Sequence, residues 1–200
     1  MNLSSFGRRI IQLADAATFY SITNLFSTAN TWTAVQTFSA NPSVTGGAIS
    51  FPATQVPSAG ANDLDDYEEG TWTPTLTFAT PGNLVVVYSL QNGTYTKVGR
   101  LVTATFQIVT TTFTWTTSAG NCTISGYPFT VNGTYRAYGP MRWRGVTKAG
   151  YTDISVQMQP ATATAVLAAS GSGVAFATIV AADMPMGGTV ELLATVSYEV

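Results

Sequence analysis

The stretch DLDDYEEGTWTPTLT, residues 63–77, changes character half-way along. Its first half carries five of the ten acidic residues of the chain, Asp63, Asp65, Asp66, Glu68 and Glu69. Its second half alternates β-branched and aromatic residues in the manner of a half-buried strand. Pro74, which has no N–H to give to a ladder, suits a first or edge strand there. A β-domain is therefore expected to begin at this point, entered through an acidic loop.

Downstream the pattern stays β to the end of the chain. Alternation places strands at about 72–78, 84–88, 94–109, 121–125, 134–144, 153–158, 163–168, 174–180 and 190–199. Turn residues separate them at Pro81-Gly82, Asn92-Gly93, Ala119-Gly120-Asn121, Asn132-Gly133, Ala149-Gly150, the Ser-Gly pairs of 170–173, and Gly187-Gly188. Short strands with no helix between them pair antiparallel. The predicted fold is an all-β, jelly-roll-like antiparallel sandwich forming a head domain over residues 63–200. Trp72, Phe78, Phe106, Phe113, Trp115 and Phe176 are its expected core aromatics.

Upstream the residues read as attachment. Over residues 1–25, Ser4 or Ser5 caps a short helix whose apolar face is Phe6, Ile10, Leu13 and Ala17. Such a stripe is stable only when buried against a partner, either symmetry mates or a socket. Residues 26–62 hold short strand-like pieces, Thr31–Phe38 and Ala48–Phe51, interrupted by Asn41-Pro42 and Gly46-Gly47. Pieces of that size bury too little to stand alone. Three intertwined copies would bury Trp32, Val35, Phe38 and Phe51 on a common axis, giving a slender trimeric stalk.

Composition points the same way. Charged residues make up 9% of the 200-residue chain, against roughly 25% in ordinary soluble domains, so much of the surface is expected to be covered by other copies. The net charge of −2 argues against a nucleic-acid partner. With no histidine and one cysteine, Cys122, the histidine-based triads, the usual zinc sites and an intrachain disulfide are all ruled out. Gln12 and Asp15 interrupt what would be the apolar core of a signal peptide. The uncharged run Ala161–Ala182 has Ser-Gly-Ser-Gly at its middle and reads as a β-hairpin rather than a membrane span.

Candidate functional residues fall into two groups. Residues 71–150 contain Lys97, Arg100, Arg136, Arg142, Arg144 and Lys148 and no acid. The acidic loop can thus orient against a basic face of its own or a neighbouring subunit. Within the basic segment, Tyr135, Tyr138, Trp143 and Tyr151 interleave with Arg136, Arg142 and Arg144, a mixture able to stack sugar rings and bond their hydroxyls. Alternation puts Arg142 and Arg144 on one face of their strand, Met141 and Trp143 on the other. The adjacent carboxylates Asp65/Asp66 and Glu68/Glu69 would point to different sides, which disfavours a hydrolase pair, and their spacing matches no EF-hand loop. Neither a cofactor nor a metal is expected.

Three segments, LDDYEEGTWTPTL (64–76), GTYTKVGRLVTATFQI (93–108) and ISGYPF (124–129), occur in this order. Together they resemble the C-terminal head domain of tailed-phage tail fibres and fibre-like virion proteins, with weaker similarity in WTAVQTF at 32–38. The resemblance implies a non-enzymatic virion protein, assembled in the bacterial cytoplasm and attached to other virion proteins through its N-terminus. Its homotrimeric tip would touch host surface glycan or another receptor. A head-attached fibre or decoration protein of the same build and a small polysaccharide hydrolase are the alternatives. Light scattering coupled to size exclusion is expected to show a trimer of the 21.0 kDa chain at every protein concentration; a monomer would remove the stalk.

Overall fold

The computed structural model describes residues 49–51, 54, 63–64 and 66–200. The expected helix residues Phe6, Ile10, Leu13 and Ala17, most of the stalk segment, and Asp65 lie outside them. Where the stalk segment is described, residues 49–51 make no strand pairing within a single chain.

Ten strands and one 3-10 turn follow. They are β1 (Tyr67–Trp72), β2 (Thr75–Thr80), β3 (Val85–Val98), β4 (Leu101–Thr114), β5 (Ala119–Ser125), β6 (Tyr138–Arg144), β7 (Asp153–Met158), β8 (Thr164–Ser170), β9 (Ala177–Thr178) and β10 (Glu191–Glu199). The 3-10 turn is Ala181–Asp183. Among the described residues there is no α-helix, and no helix long and apolar enough to cross a membrane. The uncharged run of 161–182 forms the antiparallel β8–β9 pair, as expected of a hairpin.

All pairings are antiparallel, and the strand order is β1-β3-β4-β10-β6-β7-β8-β5-β2, with β9 on β8. The all-β expectation holds in a particular form: one continuous sheet curls into a half-barrel around a shared core. The curl depends on β6. Its second half, Met141–Arg144, pairs with β10, whereas Tyr138, Gly139 and Pro140 pair with β7. A Cβ built on Gly139 would stand 2.4 Å from the Thr195 carbonyl oxygen, so only glycine lets the two halves meet there.

Alternation sorts the side chains. On β4, Val102, Ala104, Phe106 and Ile108 are buried, and on β10 so are Leu192, Ala194, Val196 and Tyr198. Their outward neighbours join across the ladder, Thr105 to Thr195 and Thr103 to Ser197, each hydroxyl pair at 2.9 Å.

Two expectations fail for nameable reasons. The single strand at 72–78 is two, because Thr73-Pro74 turns a corner that sends β1 and β2 to opposite ends of the sheet. Asn92-Gly93 makes no turn. β3 runs straight through it, and the chain reverses at Gly99-Arg100 instead, inside the single strand expected at 94–109, which is the end of β3 and the start of β4. Gly93 lies opposite Trp72, and a Cβ there would stand 2.5 Å from the indole Nε1. Glycine at 93 makes room for an aromatic ring rather than bending the chain.

That indole stacks on Tyr127 at 4.3 Å between ring centroids and meets Phe106 edge-on at 6.0 Å. The Tyr127 hydroxyl is buried without a hydrogen-bond partner, and burial pushes its ionisation far above the usual range. Removing an unsatisfied buried hydroxyl while keeping its ring relieves a desolvation cost. Tyr127→Phe is therefore expected to raise unfolding stability by about 1 kcal/mol, measured by urea denaturation.

Candidate functional site

The outer face of β6, β7 and β8 carries a built polar cluster. Tyr138 pairs with Gln157 and Gln157 with Val166, so the three side chains form one row across the strands. Ile154, Val156 and Met158 of β7 point into the core, and alternation turns Gln157 outward. Even so, Gln157 is only 3% exposed, because its neighbours roof it.

Those neighbours form a connected network. Arg136 Nη1 donates to Gln159 Oε1 at 2.9 Å and to Gln157 Oε1 at 3.5 Å. Gln159 Nε2 donates to Gln157 Oε1 at 3.2 Å, and Gln157 Nε2 donates to the Tyr138 hydroxyl. Phe176 meets the Tyr138 ring edge-on, with centroids 6.4 Å apart and planes at 88°. Both rings stay open to solvent, Tyr138 54% and Phe176 52% exposed. Asn121 and Thr178 close the far side, the Thr178 hydroxyl donating to Asn121 Oδ1 at 2.8 Å. The groove between them encloses about 490 Å³. Amides, a guanidinium and two ring faces can bind and orient a polar ligand with an apolar face.

Phe176 corrects the sequence reading, which put it in the core. β9 is only two residues long, and the loop before it lies on the outside of the sheet, where the ring covers Tyr138. Tyr151 holds that loop, its hydroxyl donating to the Ala175 carbonyl at 2.9 Å.

The seven aromatic and basic residues singled out from sequence do not converge. Arg136 and Tyr138 belong to the groove. Tyr135 is 66% exposed in a separate depression beside Leu101, Asn132 and Glu199. Arg142 and Arg144 face outward, as alternation required, but flank Glu191 of β10 at 3.7 and 3.9 Å. Trp143 is half-buried and lines a third depression with Tyr151 and Lys148. Lys148 pairs with Asp183 at 2.7 Å and lies 5.7 Å from the centre of the Tyr151 ring. Gln157, Gln159, Asn121 and Thr178 escaped notice because they come from segments far apart in the chain. The spacing Gln-x-Gln at 157–159 is the one local signal that could have marked them.

Glu68 and Glu69, expected in a loop, stand on β1, and part of the acidic cluster is engaged within its own chain. Asp66 accepts a hydrogen bond from Lys97 Nζ, and the two side chains are 6% and 4% exposed. Phe129 lies over the ammonium at 5.6 Å. Glu68 accepts from the Tyr95 hydroxyl, which pushes that phenol up to about 12. Glu69 accepts from the Tyr67 hydroxyl and is exposed, as is Asp63. Among the described residues no group of three or more His, Cys, Asp or Glu side chains is placed to hold a metal ion.

No family model matches this chain, and no curated protein does. Among solved structures, it is similar to the crystal structure of the Dettilon tailspike protein (gp208), with a TM-score of 0.48 and 13% identity. The match covers 65% of this chain and 23% of the tailspike chain.

The two kinds of ion pair should respond differently to truncation. Lys97→Met leaves Asp66 buried without its cation and is expected to cost about 3–5 kcal/mol. Arg142→Ala, at an exposed pair, is expected to cost less than about 1 kcal/mol. Urea denaturation of both variants checks the contrast, and equal effects would contradict it.

Proposed function

We propose that this chain is a phage virion fibre protein, non-enzymatic, whose β-head contacts host cell-surface glycan through the groove between Tyr138 and Phe176. The observation that carries the reading is the pair of solvent-open rings set at right angles beside a connected network of the buried Gln157, Gln159 and the exposed Arg136 guanidinium. Sugars present one apolar ring face and a rim of hydroxyls, and that is the combination such a groove complements. The backbone beneath is the paired platform of β6, β7 and β8, and Tyr151 ties down the loop that carries Phe176.

The remaining parts of the reading rest on composition and on the resemblance of the three motif segments to phage fibre heads. Residues 1–25 would attach the protein to other virion components, and residues 26–62 would form the stalk of a homotrimer. The outer face of β1, β3, β4 and β10 supports a self-association surface. Its cross-strand rows are Thr71–Thr94–Thr105–Thr195 and Glu69–Thr96–Thr103–Ser197. Beside these rows Val98, Leu101 and Leu193 are 44%, 50% and 37% exposed. A face of threonine rows with an apolar border is easily covered by another copy.

The experiment is adsorption of fluorescently labelled protein to host cells. Tyr138→Ala combined with Phe176→Ala is expected to lower adsorption about tenfold or more, as the loss of two stacking faces at about 1–3 kcal/mol each would do. Circular dichroism should stay unchanged, because both rings lie outside the core. Undiminished adsorption by the folded double variant would move host contact elsewhere on the head, and no adsorption by the parent protein would favour a decoration role.

A further inference from the structure

We infer that the ligand of the Tyr138–Phe176 groove is an anionic saccharide, one bearing a carboxylate, and that Arg136 is the residue that recognises the acid. The inference rests on the reading of this groove as a glycan site and goes further by naming the sugar class.

Charge placement carries it. Among the described residues the cations are Lys97, Arg100, Arg136, Arg142, Arg144 and Lys148. Four of these, Lys97, Arg142, Arg144 and Lys148, have a carboxylate within 4 Å. Arg100 sits in the β3–β4 turn. Arg136 alone is set into the groove, and its side-chain hydrogen bonds go to two neutral amide oxygens, Gln157 Oε1 and Gln159 Oε1. No acidic side chain lines the groove with it.

Amide acceptors hold a guanidinium in place without cancelling its charge. Gln157 is itself locked, since its amide nitrogen is committed to Tyr138. Both bonds to the amides leave from Nη1, so the guanidinium keeps donors on Nη2 and Nε, and the side chain is exposed. A planar fork of guanidinium donors matches a carboxylate in two-point fashion, which a neutral hydroxyl cannot reproduce. A neutral sugar in the same place would leave the positive charge uncompensated as water is displaced. An acidic sugar stacking on Phe176 or Tyr138 would compensate it.

The test uses the full chain against a panel of acidic bacterial capsular and exopolysaccharides. Each is presented on a biosensor surface in native form and after chemical reduction of its carboxylates to alcohols. At least one native polysaccharide is expected to bind, to lose about tenfold or more of its affinity on carboxyl reduction, and to weaken as salt is raised. Arg136→Gln should reproduce that loss on the native polymer, so that the ratio of native to reduced affinity falls toward one. Arg136→Lys should restore part of the binding, separating charge recognition from a mere propping of Gln157 and Gln159. Equal binding of native and reduced forms, or full binding by folded Arg136→Gln, would overturn the anionic class while leaving the glycan groove standing, provided Phe176→Ala still abolishes binding. Failure of every polysaccharide in both forms would overturn the groove reading together with it.

Discussion

Trp72 resting on Gly93 is the contact around which this head is assembled. The indole occupies the space a side chain would take on β3, stacks on Tyr127 and donates from Nε1 to the Thr94 carbonyl at 3.3 Å. Around it the three segments 64–76, 93–108 and 124–129 become one physical unit. Asp66 of the first meets Lys97 of the second, Glu68 meets Tyr95, and Phe129 of the third covers both Lys97 and Tyr95. Segments so far apart in the chain share a fate because each fills a gap the others leave. Their residue types therefore answer to packing and to a buried charge pair more than to any ligand. Breaking such a pair one-sidedly is far more costly than leaving it whole.

The groove obeys a different constraint, the division of β6 between two neighbours. Pairing with β7 through its first residues and with β10 through its last curls the sheet and turns one strand's outward side chains toward two different surroundings. Tyr138 is delivered to the β7–β8 platform beside Gln157. Arg142 and Arg144, a few residues on, are delivered to Glu191. An aromatic and basic run that looks like one patch on paper is thus split by the strand that carries it. The same curl exposes the outer face of β8, which the loop leading to β9 covers with Phe176.

Much of the architecture was legible from residue order because alternation is local. The inward set of β4 and β10, the strand at 153–158, the antiparallel hairpin within 161–182 and the opposite facing of Arg142 and Trp143 all follow from which neighbours are apolar. Local signals misled where one residue type serves two purposes. Asn-Gly commonly marks a hairpin turn, yet here its glycine admits an indole. A phenylalanine in an apolar run usually marks the core, yet Phe176 precedes a strand too short to bury it. Tyr135 is exposed while Trp143 and Tyr151 pack partly against the core, and spacing along one chain says nothing about which cavity each will line.

The sequence by itself determined that this is an antiparallel β-domain with few charges and no histidine chemistry, since composition and period-two patterning require no knowledge of partners. Only the tertiary structure decided that Arg136, Tyr138, Gln157, Gln159 and Phe176 share one groove, that Asp66 belongs to Lys97, and that Arg142 and Arg144 belong to Glu191. The physical reason is that a strand's facing is set by its own residues, whereas its neighbours are set by the order in which the whole sheet closes, and a binding surface is made of neighbours.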